Sequence, residues 1–200
     1  KIAGLRTEQQ IVGTNIDTVF LLTSLNQDFN LRRIERYLIV AWDSGANPVI
    51  ILSKSDLCDQ VHDRITEVQT VVRGVPIDAI SVATQCGLDD LAWYFRPGQT
   101  VALLGSSGVG KSTFINHLIG RDHLRVKEVR EHDGRGRHAT THRELILLPG
   151  GGLVLDTPGM RELQLWDGDD GLHQAFDDIK ALASRCFFGN CRHQNEPRCA

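Results

Sequence analysis

The segment GSSGVGKS, residues 105–112, restricts the possible folds of this chain more than any other stretch. It follows the apolar run QTVALL and precedes TFINHLIG, so it joins a predicted buried strand to a predicted helix. It matches the pattern G-x-x-x-x-G-K-[ST], in which glycines let successive backbone N–H groups surround phosphate oxygens at a helix N-terminus. A glycine-rich turn that merely precedes Lys-Ser is the alternative, and the flanking strand and helix argue against it. We call residues 105–112 the phosphate loop.

The residue types in this loop predict distinct roles. The Lys111 ammonium group is expected to reach the β- and γ-phosphates and to act in catalysis, and the Ser112 hydroxyl is expected to bind Mg²⁺. The predicted phosphate-binding residues are the whole loop and the residue after it: Gly105, Ser106, Ser107, Gly108, Val109, Gly110, Lys111, Ser112 and Thr113.

Strand and helix patterns alternate along most of the chain. Apolar strands are predicted at 17–25, 47–57, 75–87 and 99–105, helices at 30–45 and 59–74, a short helix or turn at 87–98, and two strands within 142–159. This alternation predicts an α/β fold with a doubly wound, mostly parallel sheet. Ligands of such sheets bind beyond the carboxyl ends of the strands.

A second phosphate-linked motif, DTPG, follows the apolar stretch GLVLD. Asp156 is expected to hold Mg²⁺ through water, and the Gly159 N–H is expected to meet a γ-phosphate. Such a motif alone is usually a turn, but after a phosphate loop it is the expected next element. Between the two motifs, Thr140 or Thr141 could bind Mg²⁺, and Thr141 is preferred because it lies immediately before the next strand pattern. A solvated loop threonine is the alternative.

Two segments in the first half have the features of a guanine site. Ser53, Lys54, Ser55 and Asp56 end a buried strand, and a carboxylate at Asp56 could accept hydrogen bonds from the guanine N1–H and 2-amino groups. Adenine offers neither donor, so the site would discriminate between the bases. Ser53 stands where such sites commonly have asparagine, and we expect this change to remove an amide that ties neighbouring loops. Ser81, Val82 and Ala83 resemble a loop whose backbone meets the guanine O6. We call residues 53–56 and 81–83 the base loops.

The C-terminal stretch CFFGNCRHQNEPRC predicts a metal site. It contains three cysteines and a histidine, which suit a tetrahedral structural zinc ion: Cys186, Cys191, His193 and Cys199. A disulfide and unrelated surface thiols are the alternatives.

The order of these motifs is unusual, because the base loops precede the phosphate loop. In an ordinary small GTPase the phosphate loop comes first, so this chain resembles the circularly permuted GTPases, and among them those of small ribosomal subunit biogenesis. A stretch of Gly-x-His-x-Thr-Thr type at 136–141 and the zinc pattern add to that resemblance. Ser53 and Ala139 depart from it.

The resemblance implies three regions and a set of ligands. Residues 1–16 are expected to be a linker from an N-terminal OB-fold domain missing here, 17–165 the permuted GTPase domain, and 166–200 a truncated zinc-binding module. The implied ligands are GTP or GDP, Mg²⁺ and one structural zinc ion.

The resemblance also implies an activity and a partner. The implied activity is GTP hydrolysis during late maturation of the small ribosomal subunit, stimulated by the subunit and involving contact with 16S-type rRNA. The protein is expected to be a cytoplasmic monomer with no membrane association. The alternatives are a GTP-switched rRNA-binding assembly factor with incidental turnover and an ATP-using enzyme such as a small-molecule kinase.

Two further features of the sequence are its basic segment at residues 121–143 and the residue that follows DTPG. The net charge of −3 does not indicate a nucleic-acid binder, although residues 121–143 are rich in basic side chains and are either a solvated loop or an RNA contact. Met160 follows DTPG, where many GTPases have a glutamine that orients the attacking water. A thioether cannot do this, so His138 is the candidate within the chain, unless it only faces phosphate or RNA.

Overall fold

A single six-stranded sheet organises the part of the chain that the computed structural model describes, which is residues 13–120, 143–157, 182, 184–187, 191 and 199. The strands are β1 Thr18–Ser24, β2 Asn47–Ser53, β3 Ile77–Ala79, β4 Thr100–Gly105, β5 Glu144–Leu147 and β6 Leu153–Asp156. The helices are α1 Leu31–Asp43, α2 Val61–Val71 and α3 Lys111–Ile119, with 3₁₀ helices at Ser55–Leu57 and Asp89–Phe95.

The strand order across the sheet is β3-β2-β1-β4-β6-β5. Neighbouring strands are parallel, apart from β5, which runs antiparallel to β6. The predicted doubly wound, mostly parallel α/β sheet is therefore confirmed. Because β1 lies between β2 and β4, the loops that follow these three strands meet at one edge of the sheet.

The central strand is buried on both faces. All seven residues of β1 are buried, with Val19 and Leu21 facing α1 and α2, and Phe20 and Leu22 facing α3 and the 3₁₀ helix Asp89–Phe95. The Phe20 ring packs edge-on against Tyr94 at 5.2 Å between ring centroids. This two-sided packing explains why the middle of β1, residues 19–22, is continuously apolar, since side chains alternate between the faces of a strand.

Helix α1 has clear sequence signals at both ends. The Asn30 side chain accepts a hydrogen bond from the Arg33 backbone N–H at 3.0 Å, which caps the N-terminus. Ile34 and Leu38 lie one turn apart on the buried side. The helix ends where the Ser44 hydroxyl donates to the Ala41 carbonyl at 2.6 Å, and Gly45 then adopts a φ of 73°.

Two strands end earlier than the sequence predicts. The second was expected to run to residue 57, but Lys54 has a φ of 58° and turns the chain into the 3₁₀ helix Ser55–Leu57. The third was expected over 75–87, but β3 has only three residues and is followed by an isolated bridge between Ser81 and Cys86. In both places a tight turn presents a base loop at the carboxyl edge of the sheet.

A glycine makes the second of these turns possible. Gly87 has a φ of 70°, and a Cβ there would lie 2.4 Å from the Ala79 carbonyl oxygen.

Within the described residues, no helix is both long and apolar enough to cross a membrane.

Candidate functional site

The phosphate loop joins β4 to α3 through glycines whose backbone demands them. A Cβ on Gly105 would approach the Leu22 carbonyl oxygen to 2.7 Å, so the loop can pass this close to β1 only with glycine. Gly108 and Gly110 have φ values of 85° and 99°. The N-cap residue of α3 is Gly110, which has no side chain to cap the helix, so the positive end of that helix can receive an anion.

Lys111 lies against the phosphate loop. Its side chain is 7% exposed, and Nζ donates to the carbonyl oxygens of Gly105 at 2.8 Å and Ser106 at 2.9 Å. Burial lowers the pKa of Lys111 to about 8, although the negative charge of Asp156 acts in the opposite direction. Bound phosphate would replace the lost hydration of this ammonium group, so the loop provides a cation suited to a polyanion.

Asp156 lies at the end of β6, beside the strand that leads into the phosphate loop. It is opposite Leu103 of β4, and the next residue, Thr157, donates its hydroxyl to the Leu103 carbonyl oxygen at 2.5 Å. The Asp156 side chain is fully buried, and its charge acts on Lys111. Ser112 is half-buried in the first turn of α3, as is the adjacent Thr113. A buried carboxylate and a hydroxyl on neighbouring elements are oxygen donors of the kind that Mg²⁺ prefers.

The first base loop contacts the phosphate loop directly. Lys54 Nζ donates to the Gly108 carbonyl oxygen at 2.8 Å, which joins residues 54 positions apart. Burial lowers the pKa of Lys54, and the charges of Asp28 and Asp56 partly offset this effect.

The two base loops also contact each other. The exposed Asp56 carboxylate accepts a hydrogen bond from the Ser81 hydroxyl at 2.5 Å, and the Ser55 N–H donates to the Ile80 carbonyl oxygen at 3.1 Å. Val82 is half-buried and Ala83 is exposed beside them. The three predicted segments thus lie together at the carboxyl edge of the sheet.

Ser53 contacts the phosphate loop through its hydroxyl, although it lacks the amide that an asparagine would supply at this position. Ser53 Oγ donates to the Val109 carbonyl oxygen at 2.7 Å, and the side chain is 6% exposed. The hydroxyl therefore ties β2 to the phosphate loop although the asparagine amide is absent. β2 ends close enough to the phosphate loop for the short serine side chain to span the gap.

Two charged residues that the sequence interpretation missed also contact the phosphate loop. Arg33 forms a two-point ion pair with Asp28, with Nη1 to Oδ2 at 2.7 Å and Nη2 to Oδ1 at 3.1 Å. The Ser106 hydroxyl donates to Asp28 Oδ2 at 2.7 Å and accepts from Arg33 Nη1 at 3.1 Å. Both charged residues follow β1, which is hydrogen-bonded to β4. Their place after the carboxyl end of a parallel strand is the signal that could have identified them.

Three cysteines near the C-terminus form a separate cluster. The sulfur atoms of Cys186, Cys191 and Cys199 all lie within 4.8 Å of one another, and none of the three forms a disulfide. Three thiols at this spacing can surround one tetrahedral metal ion. The remaining predicted residues lie outside the described part of the chain, and they are His193 at the metal site and Gly159, Thr141 and His138 at the nucleotide site.

Comparison with known proteins agrees with the permuted order of the motifs. A family model described as RsgA GTPase matches residues 3–166. The small ribosomal subunit biogenesis GTPase RsgA 2 of Lactiplantibacillus plantarum is 55% identical over 98% of this chain and 55% of its own length. The protein of the same name from Vibrio parahaemolyticus is 48% identical over the whole of this chain and 56% of its own length. The chain thus spans about half the length of the curated relatives it matches.

Two solved structures have a similar fold. YjeQ from Thermotoga maritima aligns with a TM-score of 0.67 and 28% identity, over 92% of this chain and 62% of that one. YloQ, described as a circularly permuted GTPase, aligns with a TM-score of 0.64 and 29% identity, over 93% of this chain and 60% of that one. The base loops precede the phosphate loop in the sequence, and the family model matches residues 3–166, which is most of the chain. The chain therefore belongs to the RsgA GTPase family.

Proposed function

We propose that this chain binds GTP and hydrolyses it to GDP and phosphate while acting on the small ribosomal subunit. The observation that carries the proposal is the contact between the base loops and the phosphate loop, made by Lys54 Nζ on the Gly108 carbonyl oxygen. Through this contact the first base loop, which suits a purine base, and the phosphate loop are close enough together for one nucleotide to contact both.

Guanine selectivity is assigned to Asp56. Its carboxylate is exposed, and the Ser81 hydroxyl holds one of its oxygens, so the group has a fixed direction. It would accept from the guanine N1–H and 2-amino groups, while the backbone of residues 81–83 would meet O6. The aliphatic part of Lys54 would lie along the base. An adenine would leave the Asp56 carboxylate without these donors, at a cost of about 1–3 kcal/mol or more.

The phosphate loop and Lys111 would bind the phosphates, with the Gly159 N–H contributing at the γ-phosphate. The residues proposed to hold Mg²⁺ are Ser112, Asp156 and Thr141, the first two of which lie on adjacent elements at the strand ends. When bound, Mg²⁺ neutralises charge on the β- and γ-phosphate oxygens. Lys111 would stabilise the same charge, aided by its low exposure of 7%.

Water activation is assigned to His138 or to a group supplied by the ribosomal subunit. Met160 stands in this sequence where a glutamine often orients the water, and its thioether accepts hydrogen bonds only weakly. Slow hydrolysis by the isolated protein and faster hydrolysis on the subunit follow from this. Preserved stimulation in His138→Ala would assign the group to the subunit instead.

The cysteine cluster is proposed to hold one structural zinc ion, with His193 as the fourth ligand. Three thiols within 4.8 Å of one another fit such a site, and zinc would fix this part of the chain without redox chemistry. In this proposal residues 17–165 form the GTPase domain, 166–200 contribute to the zinc module, and 1–16 connect to a further domain.

The partner is proposed from the names of the relatives, which describe small ribosomal subunit biogenesis. A cytoplasmic monomer that contacts 16S-type rRNA would fit this role, and the basic residues within 121–143 offer one surface for RNA.

The test measures phosphate release from GTP with and without purified small subunits, with GDP and ATP as competitors. We expect slow turnover alone, a rise of at least about tenfold with subunits, and competition by GDP but not by ATP. Tight subunit binding without faster hydrolysis would favour a GTP-switched RNA-binding factor instead. Preference for ATP would refute the assignment of the base loops.

A further inference from the structure

The phosphate loop has an anchor outside the sequence motifs, formed by Asp28 in the loop before α1 and Arg33 in the first turn of α1. The Ser106 hydroxyl is hydrogen-bonded to both Asp28 and Arg33, with oxygen–oxygen and oxygen–nitrogen distances of 2.7 and 3.1 Å. Ser106 is 4% exposed and the Arg33 side chain is 18% exposed, whereas the Asp28 side chain is 39% exposed. The hydroxyl and the guanidinium group are thus shielded from water, and the carboxylate is partly solvated. The loop therefore does not depend on bound phosphate alone for its shape at this position.

The carboxylate in this anchor is itself fixed. The Asn26 side chain accepts hydrogen bonds from the Ser24 hydroxyl at 2.8 Å and from the Asp28 N–H at 3.0 Å, which holds the segment between β1 and α1. Arg33 also donates to the Asp28 backbone carbonyl oxygen at 3.2 Å. The ion pair is thus built into the start of α1, and its position follows from the pairing of β1 with β4.

The charge of Asp28 requires a partner at this location. The carboxylate lies one hydrogen bond from a loop that must accept a polyanion, and a bare negative charge there would repel phosphate. The Arg33 guanidinium group neutralises it through two parallel N–H···O contacts, the geometry in which arginine pairs best with a carboxylate. Asp28 also acts electrostatically on Lys54, so the anchor lies near both the base loop and the phosphate loop.

We propose that Asp28 and Arg33 are positioning residues for nucleotide binding, which hold the phosphate loop at Ser106 and keep the carboxylate that holds it electrically neutral. This inference rests on the proposed nucleotide site, but it concerns how tightly that site holds phosphate and not which base it selects. The pair touches no substrate in this assignment and acts through Ser106.

The test is a charge cycle on the full chain, with the dissociation rate and Kd of fluorescent N-methylanthraniloyl-GDP as readouts. Arg33→Gln should raise Kd about tenfold, mainly by faster dissociation, because it leaves an uncompensated carboxylate beside the loop. Asp28→Asn should change Kd less than about threefold, since its amide oxygen can still accept from Ser106. The double variant should bind better than Arg33→Gln, because the repelling charge is gone.

Three further measurements separate positioning from general stability. Arg33→Lys should recover part of the affinity, and the Arg33→Gln defect should shrink as salt rises from about 50 to 500 mM. The matched control is Arg32→Gln, which removes the adjacent arginine of the same helix and its exposed pair with Glu35, and it should bind as the wild type does. Thermal unfolding checks that all variants are folded.

The outcomes are distinct from those of the proposed function. Affinity of Arg33→Gln within twofold of the wild type, or a double variant no better than Arg33→Gln, would overturn the positioning role. If the wild type instead prefers an adenine nucleotide, the guanine assignment fails, and the same cycle run with N-methylanthraniloyl-ADP still tests the anchor. A wild type that binds neither nucleotide overturns both.

Discussion

Replacing Ser53 by alanine should loosen the phosphate loop and destabilise the fold together. The substitution removes one buried hydroxyl, whose oxygen lies 2.7 Å from the Val109 carbonyl oxygen. Val109 is 1% exposed, so water cannot readily replace the lost donor. A buried acceptor left without its donor costs about 1–3 kcal/mol. For a domain of this size that corresponds to a fall in Tm of roughly 2–12 °C.

Thr23→Val is the matched control, because it deletes a buried hydroxyl from the end of the neighbouring strand. Thr23 is 2% exposed, and its Oγ1 has no hydrogen-bond partner among the described residues. Removing a buried hydroxyl that makes no hydrogen bond should be neutral or stabilise the protein by up to about 1 kcal/mol.

The assay combines urea unfolding with GDP binding. Ser53→Ala should lower the free energy of unfolding and raise the Kd for GDP, since Val109 belongs to the phosphate loop, while Thr23→Val should change neither by much. If both variants unfold alike and bind GDP like the wild type, the Ser53 hydroxyl does not hold the loop.

Three other changes test the remaining parts of the molecule. Asp56→Asn should shift the preference from GTP towards XTP in competition binding, since an amide can donate to the xanthine 2-oxo group; an unchanged ratio would exclude Asp56 as the base reader. Burial lowers the pKa of Lys111 to about 8. In the unfolded chain its pKa is about 10.4, so the unfolded state binds more protons between these values and stability should rise with pH there. Urea unfolding from pH 7.5 to 9.5 should show this gain, at most about 1.4 kcal/mol per pH unit, in the wild type relative to Lys111→Met; parallel curves would contradict it. Purified protein should contain about one zinc ion per chain by elemental analysis, and Cys191→Ser should reduce that content.

The sequence predicts most reliably the elements that are determined locally or are buried on both faces. β1 and β4 start within one residue of their predicted starts. Each contains a continuous apolar run, which in an α/β fold indicates a strand that is buried on both faces. The phosphate loop is also predicted reliably, because its glycines adopt φ values and make close contacts that other residues do not allow.

Features that depend on lateral neighbours could not be predicted in the same way. The Ser53 contact with Val109 depends on how closely β2 approaches the phosphate loop, and the Asp28–Arg33 pair depends on β1 lying next to β4. Neither distance is encoded in periodicity. β3 is short because its chain must turn at Gln85 and Gly87, which have φ values of 58° and 70°. One glycine in the sequence, Gly87, does not by itself indicate that β3 ends at Ala79.

The position of β1 in the sheet has a consequence for the synthesis of the chain. Residues 18–79 contain β1, β2 and β3 with both intervening helices, so this half of the sheet can form first as the chain emerges. β1 cannot complete its hydrogen bonding until β4 is made, because Asp17 and Thr100, which bond at the start of that pairing, are 83 positions apart. Until then one edge of β1 is unpaired, and its side chains, all buried in the folded protein, lie beside that open edge. Closing so long a loop is slow. Because β1 pairs with β4 so late, we expect nascent chains to be most prone to aggregation after β3 is made and before β4 is made, and chains stalled in that interval to be the ones that chaperones retain.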